Sequence, residues 1–186
     1  MSKVTIAGDV NGTGVFTIAA PNGNINRTLT LPDATGTVLT TATPGVPING
    51  PAFSAYASAS QSVTSGVDTK VVFNTEQFDT NNNFASNRFT PTVAGYYQLN
   101  TTVRFNGTTP SQYILYFFKN GSTALIGNFI NTGILSPAIL SASTLIYMNG
   151  STDYVEVYMN MTATSPTVSS SAPNTSFFSG FLARAA

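Results

Sequence analysis

The chain has 186 residues, seven basic and seven acidic side chains for a formal net charge of zero, and only 8% charged residues, far below the roughly 25% usual for soluble proteins. Charges scattered singly make no field to draw phosphate, nucleic acid or an anionic membrane, which opposes a nucleic-acid role. Histidine and cysteine are both absent, which removes disulfides, thiolate metal sites, and Ser-His-Asp and Cys-His chemistry together.

Met1-Ser2-Lys3 leads directly into the alternating Val4-Thr5-Ile6, without the apolar core or small-residue cleavage site of a secretory leader. No apolar run approaches the roughly eighteen residues of a membrane-spanning helix. Synthesis in the cytoplasm without membrane insertion is therefore expected, with any exit as part of something larger. Residues 14–18, 28–32 and 36–39 form short β runs in which Phe16 is the only aromatic, too little apolar surface for an independent core. This predicts an N-terminal β arm over residues 1–43 that orders against sister subunits or a larger body, with Phe16, Leu29, Leu31, Val38 and Leu39 as its attachment residues. Pro44, Gly45, Pro47, Gly50 and Pro51 then interrupt the strand pattern and mark a linker over 44–51.

Residues 52–186 form the head, which reads as all-β. Six Asn-Gly dipeptides, beginning at Asn11, Asn22, Asn49, Asn106, Asn120 and Asn149, punctuate runs rich in Val, Ile, Thr, Tyr and Phe, the strongest short-range signal for hairpin turns. Tyr97, Leu99, Thr101, Val103 and Phe105 alternate with wetter residues, giving a strand with one buried face. The same alternation groups Val155, Val157, Met159 and Met161, opposite a mixed face of Tyr154, Glu156, Tyr158 and Asn160. Residues 113–118 and 177–182 are instead almost continuously apolar, which predicts strands covered on both faces, the second cover coming from an identical neighbour. Ten prolines and no sustained 3.6-residue period oppose helices.

Ala52-Phe53-Ser54-Ala55, Phe89-Thr90, Gly95-Tyr96-Tyr97 and Phe178-Ser179-Gly180-Phe181-Leu182, in this order and approximate spacing, resemble the globular head of the C1q/TNF family. Phe89 stands six residues before Gly95 and eight before Tyr97, as in the family's Phe-Thr-x-Pro-x-x-Gly-x-Tyr phrase, with the proline one residue early at Pro91. Lys119-Asn120-Gly121 resembles its Lys-Asn-Gly hairpin, and residues 147–155 a lengthened Gly-Asp-x-Val turn. The resemblance implies an antiparallel jelly-roll β-sandwich that forms a homotrimer, with Phe53, Phe89, Gly95, Tyr97, Tyr113, Tyr116, Phe118, Phe178, Gly180, Phe181 and Leu182 in its core or threefold contact. No Gly-X-Y collagen repeat precedes the head.

Within the arm, the phrase from Thr28-Leu29-Thr30-Leu31-Pro32 to Gly36-Thr37-Val38-Leu39-Thr40 resembles a segment common in fibres and other surface proteins of tailed bacteriophages, and equally fits a plain β arm with a Pro-Asp turn. Joined to the head, it implies a non-enzymatic virion surface protein whose partners are itself and, through the arm, other virion proteins. A capsid decoration or head fibre and a tail fibre both remain open, as does a tip that recognises host surface glycan or protein; a secreted cellular adhesion protein is the more distant alternative.

Catalysis has little to work with. Asp153 and Glu156 are separated by an odd number of positions, so a regular strand would point them to opposite faces, whereas glycosidase carboxyls face each other across a cleft at roughly 5 to 9 Å. No enzyme activity and no cofactor are expected. Asp79-Thr80-Asn81-Asn82-Asn83 is an oxygen-rich turn open to calcium, but with one carboxylate it reads first as a solvated Asx loop. Tyr56, Tyr96, Tyr113, Tyr116, Tyr154 and Tyr158 are candidates for a recognition surface or, in the plainer reading, for the sandwich interior. Residues 79–83, 106–110 and 162–172 are the expected distal contact loops.

Overall fold

The computed structural model describes residues 50–131, 135–170 and 175–186, together with positions 11–13, 17, 23 and 28. The proposed attachment residues Phe16, Leu29, Leu31, Val38 and Leu39 lie outside these. Among the described residues there is no helix, and the eleven strands pair antiparallel throughout.

The strands are β1 (Ala52–Tyr56), β2 (Gln61–Ser62), β3 (Thr69–Lys70), β4 (Thr75–Asp79), β5 (Phe84–Ala85), β6 (Arg88–Phe89), β7 (Gly95–Lys119), β8 (Thr123–Ile130), β9 (Ala138–Met148), β10 (Val155–Val168) and β11 (Phe177–Ala185). The long strand β7 organises them. Its first half lies between β9 and β11, with β1 and then β4 beyond β11. Its second half lies between β8 and β10, with β2, β3 and β6 along β10. One strand therefore serves both sheets of a sandwich, as in a jelly roll.

The alternation in the sequence sets what faces inward. Tyr97, Leu99, Thr101, Val103 and Phe105 of β7 are buried, as are Val155, Val157, Met159 and Met161 of β10. Between the sheets Phe53 lies 4.3 Å from Phe89 and 5.1 Å from Phe84 in stacked pairs, and 4.8 Å from Phe178 edge-on. Each such pair adds about 0.5–1.5 kcal/mol to the burial of its rings. Tyr97 donates its hydroxyl to the Val93 carbonyl at 2.7 Å, and burial pushes its phenol up to about 12.

Asn120 and Gly121 both take left-handed angles, φ 55° and 68°, the pairing that a two-residue hairpin between β7 and β8 demands. Asn106-Gly107 behaves otherwise. It lies inside β7, and residues 106–110 and 162–168 are strand rather than the expected loops. The reason is that β7 and β10 stay paired as they turn from one sheet to the other, with irregular register at Thr162/Thr164 and Thr164/Thr167. A Cβ at Gly107 would stand 2.6 Å from Met161 Cε, so glycine permits this close approach. At the same corner Thr109 (φ 47°) and Ser165 (φ 49°), each followed by proline, are held left-handed.

Candidate functional site

The outward face of the first sheet is built in rows by strand register. Tyr96 of β7 stands beside Tyr147 of β9, their rings 5.5 Å apart and edge-on. The next row runs Phe181, Gln98, Leu145; the next Ser179, Asn100, Ser143; then Phe177, Thr102, Ser141; and finally Arg104 with Ile139. Tyr96 (45%), Tyr147 (42%), Leu145 (59%), Phe181 (49%) and Ile139 (58%) are exposed, so two apolar rows and a single isoleucine bracket a polar middle. Beside the first row, Tyr96, Leu145, Ala183, Arg184, Ala185 and Ala186 line an open hollow of about 540 Å³. In the polar middle Gln98 Nε2 donates to Ser143 Oγ at 2.7 Å, and Ser143 Oγ donates to Asn100 Oδ1 at 3.0 Å. Thr102 Oγ1 and Ser141 Oγ share a hydrogen bond of 2.9 Å.

The outward side of the second sheet is partly covered by its own side chains, with Phe129 of β8, across from Ile114, left exposed. Glu156 is buried, and its Oε1 accepts from Lys70 Nζ at 3.1 Å and from Arg88 Nε at 3.0 Å. The Arg88 guanidinium lies 3.7 Å over the Tyr154 ring. Phe118 packs 4.4 Å from Tyr158 and 5.6 Å from Tyr116. Asn160 Nδ2 donates to Asp68 Oδ1 at 2.7 Å, leaving Asn160 Oδ1 as the buried side-chain oxygen without a partner among the described residues. Burial, and secondarily the charge of Asp68, raises the Tyr116 phenol; burial and Glu156 do the same for Tyr158.

These positions change the reading of the two apolar runs. Over 113–118 this chain's own Tyr158 and the Asp68–Asn160 pair stand beside Tyr116 and Ile114 and cover the outward side in part, leaving Tyr116 buried and Ile114 and Phe118 half-buried. Over 177–182 only one face is covered: Phe178, Gly180 and Leu182 are buried, while Phe181 is open. Of the residues singled out in the sequence, Phe53, Phe89, Gly95, Tyr97, Tyr113 and Tyr116 are also buried, and Phe118 is half-buried. Phe181 and Tyr96 belong to the outward face. Its other large apolar members, Tyr147, Leu145 and Ile139, were missed, although adjacent apolar residues at 139–140 and 145–148 in β9 signal a strand apolar on both sides.

The carboxylates are occupied separately. Asp153 accepts from Lys119 Nζ at 2.8 Å, Asn120 Nδ2 at 2.8 Å and the Asn149 N–H at 3.0 Å. The hydrogen bond from Lys119, then that from Asn120, holds its carboxyl below the usual range. Glu156 belongs to the different network above. Asp79 closes its own turn, its Oδ2 accepting the Phe84 N–H at 2.7 Å and its Oδ1 the Asn81 N–H at 3.3 Å. Among the described residues no group of three or more acidic side chains is placed to hold a metal ion.

Comparison with known proteins bears on this architecture. A family model of the C1q domain matches residues 52–183. Murine APRIL, solved at pH 8.5, is 11% identical with a TM-score of 0.51, covering 72% of this chain and 99% of its own. The Eiger TNF structure from S. frugiperda is 12% identical with a TM-score of 0.42, covering 77% and 96% respectively. No curated protein matches the chain.

Proposed function

The chain belongs to the C1q domain family, and on that footing we propose that it is a non-enzymatic bacteriophage virion protein. Its heads associate as a homotrimer to form a surface knob, and its N-terminal arm fastens the knob to the particle. The observation that carries self-association is the outward face of the first sheet, where Tyr96, Tyr147, Leu145 and Phe181 adjoin one another in the open. Contiguous exposed aromatics and leucine are what interfaces bury. An isolated head leaves each of them about half exposed, forgoing roughly 1 kcal/mol of burial apiece. The virion assignment is supported by the arm's phage-fibre-like phrase at residues 28–40. The non-enzymatic assignment is supported by the absence of histidine and cysteine and by Asp153 and Glu156 being committed to separate structural networks.

Light scattering on the full chain is expected to give about three times the 19.5 kDa chain mass, and Phe181→Asp to shift it toward monomer by burying a charge. A stable parent monomer at micromolar concentration would overturn the trimer. Antibody labelling of purified particles by electron microscopy places the protein on capsid or tail, and absence from both would overturn the virion role. A tip that binds host glycan or protein is the second reading, supported by the Asn- and Ser-rich turns at residues 79–83 and 149–152. Equal adsorption of particles with and without the head would remove it.

A further inference from the structure

We infer that the polar cluster formed by the Asn100–Ser143 row and Gln98 of the adjoining row is a register key between copies of this chain, with Asn100 as its central group. This rests on the self-association reading and deepens it by naming what fixes how the copies meet. Apolar rows attract without direction. Two such rows on a pleated face tolerate a slip of one pleat period, about 7 Å along the strands, because Phe181 and Leu145 find apolar surface in more than one position. The row between them and Ile139 does not tolerate it.

The hydrogen bonds within this cluster show what it keeps for a partner. Gln98 Nε2 is committed to Ser143, and Asn100 Oδ1 accepts from Ser143 Oγ. Asn100 Nδ2 and Gln98 Oε1 have no partner among the described residues. The face thus offers unspent donors and an unspent acceptor two residues apart on one strand. Around a threefold axis the Asn100 donor of one copy answers the Gln98 acceptor of the next, a heterologous contact that closes after three copies. A slipped register would bury these amides against Phe181 or Leu145 with nothing to bond, and each unmet group disfavours that arrangement. A single polar position that sets register among apolar ones is a known use of buried amides.

Charge on this face is sparse. Arg104 of β7 and Arg184 of β11 are its charged groups; β1 and β9 carry none, and the nearest strand with carboxylates is β4, at the sheet's far edge, with Glu76 and Asp79. An acid placed at position 100 therefore titrates against a nearly neutral background.

The test compares the full-length parent with Asn100→Asp and Asn100→Leu by light scattering across a dilution series at about pH 8 and pH 4. At pH 8 the aspartate variant is expected to raise the half-dissociation concentration roughly 100-fold or more, because a donor is replaced by a buried charge. At pH 4 the protonated carboxyl donates again, and the value should return to within about tenfold of the parent. The leucine variant is expected to stay associated but to populate more than one mass. An aspartate variant that is folded by circular dichroism and assembles like the parent at pH 8 would overturn the key and leave the trimer standing. A leucine variant that forms the parent's single trimer would do the same, and decides the matter if the aspartate variant does not fold. A monomeric parent would instead overturn self-association itself.

Discussion

Gly180 gives the sharpest test of the packing. It pairs with Phe53 of β1 on one side and Leu99 of β7 on the other. A Cβ there would lie 2.5 Å from Leu99 Cδ2 and 3.0 Å from both the Gln98 carbonyl oxygen and Phe53 Cε1. None of these can step aside freely. Leu99 is fully buried, the carbonyl belongs to the ladder, and Phe53 is clamped among Phe89, Phe84 and Phe178. Restoring contact distance at Leu99 requires a shift of about 1 Å, and overpacking of this kind costs about 1–3 kcal/mol. Alanine recovers about 0.5–1 kcal/mol from the smaller backbone entropy it loses on folding, so Gly180→Ala should cost ~1–2 kcal/mol net. Gly180→Val adds two further methyls and should cost ~3 kcal/mol or more. For a domain of this size that is a fall in Tm of about 4 to 8 °C for alanine and more than about 10 °C for valine, read by calorimetry or urea titration. Leu99→Ala, itself costing about 2–5 kcal/mol, vacates the space, so the double variant with Gly180→Ala should cost less than the sum of the singles by about 1 kcal/mol. A Gly180→Ala protein that melts at or above the parent, or strict additivity with Leu99→Ala, would refute the contact.

At the sheet corner, Thr109→Gly and Ser165→Gly should each raise stability by about 0.5–1 kcal/mol in urea titration. Both residues hold left-handed angles before a proline, and relief of that strain exceeds glycine's added chain entropy; a loss of stability in both would refute the strain. Asp153 should make the head acid-sensitive. Its carboxyl is held below its ordinary value, so its stabilising contribution is complete above the unfolded-state value near 4 and is lost as pH falls through the folded-state value. Asp153→Asn should flatten the stability profile below about pH 5, where the parent declines. Glu156→Ala leaves Lys70 and Arg88 against a buried vacancy, and should cost about 2 kcal/mol, fewer than a fully buried pair because the two cations are partly solvated. Assembly should be nearly salt-independent, the half-dissociation concentration moving less than about threefold between about 0.05 and 0.5 M NaCl, since the face lacks opposed charges; a steep salt dependence would point to another interface.

The central strands were legible because period-two alternation maps directly onto burial when one face of a strand meets a core. Tyr97 through Phe105 and Val155 through Met161 show this, and so does the Asn120-Gly121 hairpin, where two left-handed residues in succession leave few alternatives. The corner was not legible. Asn106-Gly107 carries the same dipeptide as a hairpin turn, but there glycine serves close approach to Met161 while β7 continues. Dipeptide chemistry cannot distinguish a chain that reverses from one that bends and keeps its partner. The two apolar runs were legible only in part: within the chain, 113–118 gains partial cover from Tyr158 and Asp68, neighbours distant in sequence, whereas 177–182 leaves Phe181 open for a partner. Apolar continuity says that both faces avoid water, and it does not say whose surface does the covering.

The scarcity of charge acquires a physical meaning once each charged group is placed. Lys70, Arg88 and Glu156 close the outward side of the second sheet, Lys119 and Asp153 tie the turns at residues 119–121 and 149–153, Asp68 holds Asn160, and Asp79 closes its own turn. In each of these cases the carboxylate sits where backbone N–H groups, amides or cations converge, so the head commits its acids other than the exposed Glu76 to fixing loops and edges against the sandwich. The face with Tyr96, Tyr147, Leu145 and Phe181 receives no carboxylate, only Arg104 and Arg184 near its two ends. A surface stripped of acids yet lined with amides and hydroxyls stays hydrated while alone, because Gln98, Asn100 and Ser143 bond water readily. It also desolvates at modest cost when a matching amide row replaces that water, since neutral groups lose far less on burial than ions do. Ionic residues in the same row would have made the isolated head more soluble and the assembled one harder to form.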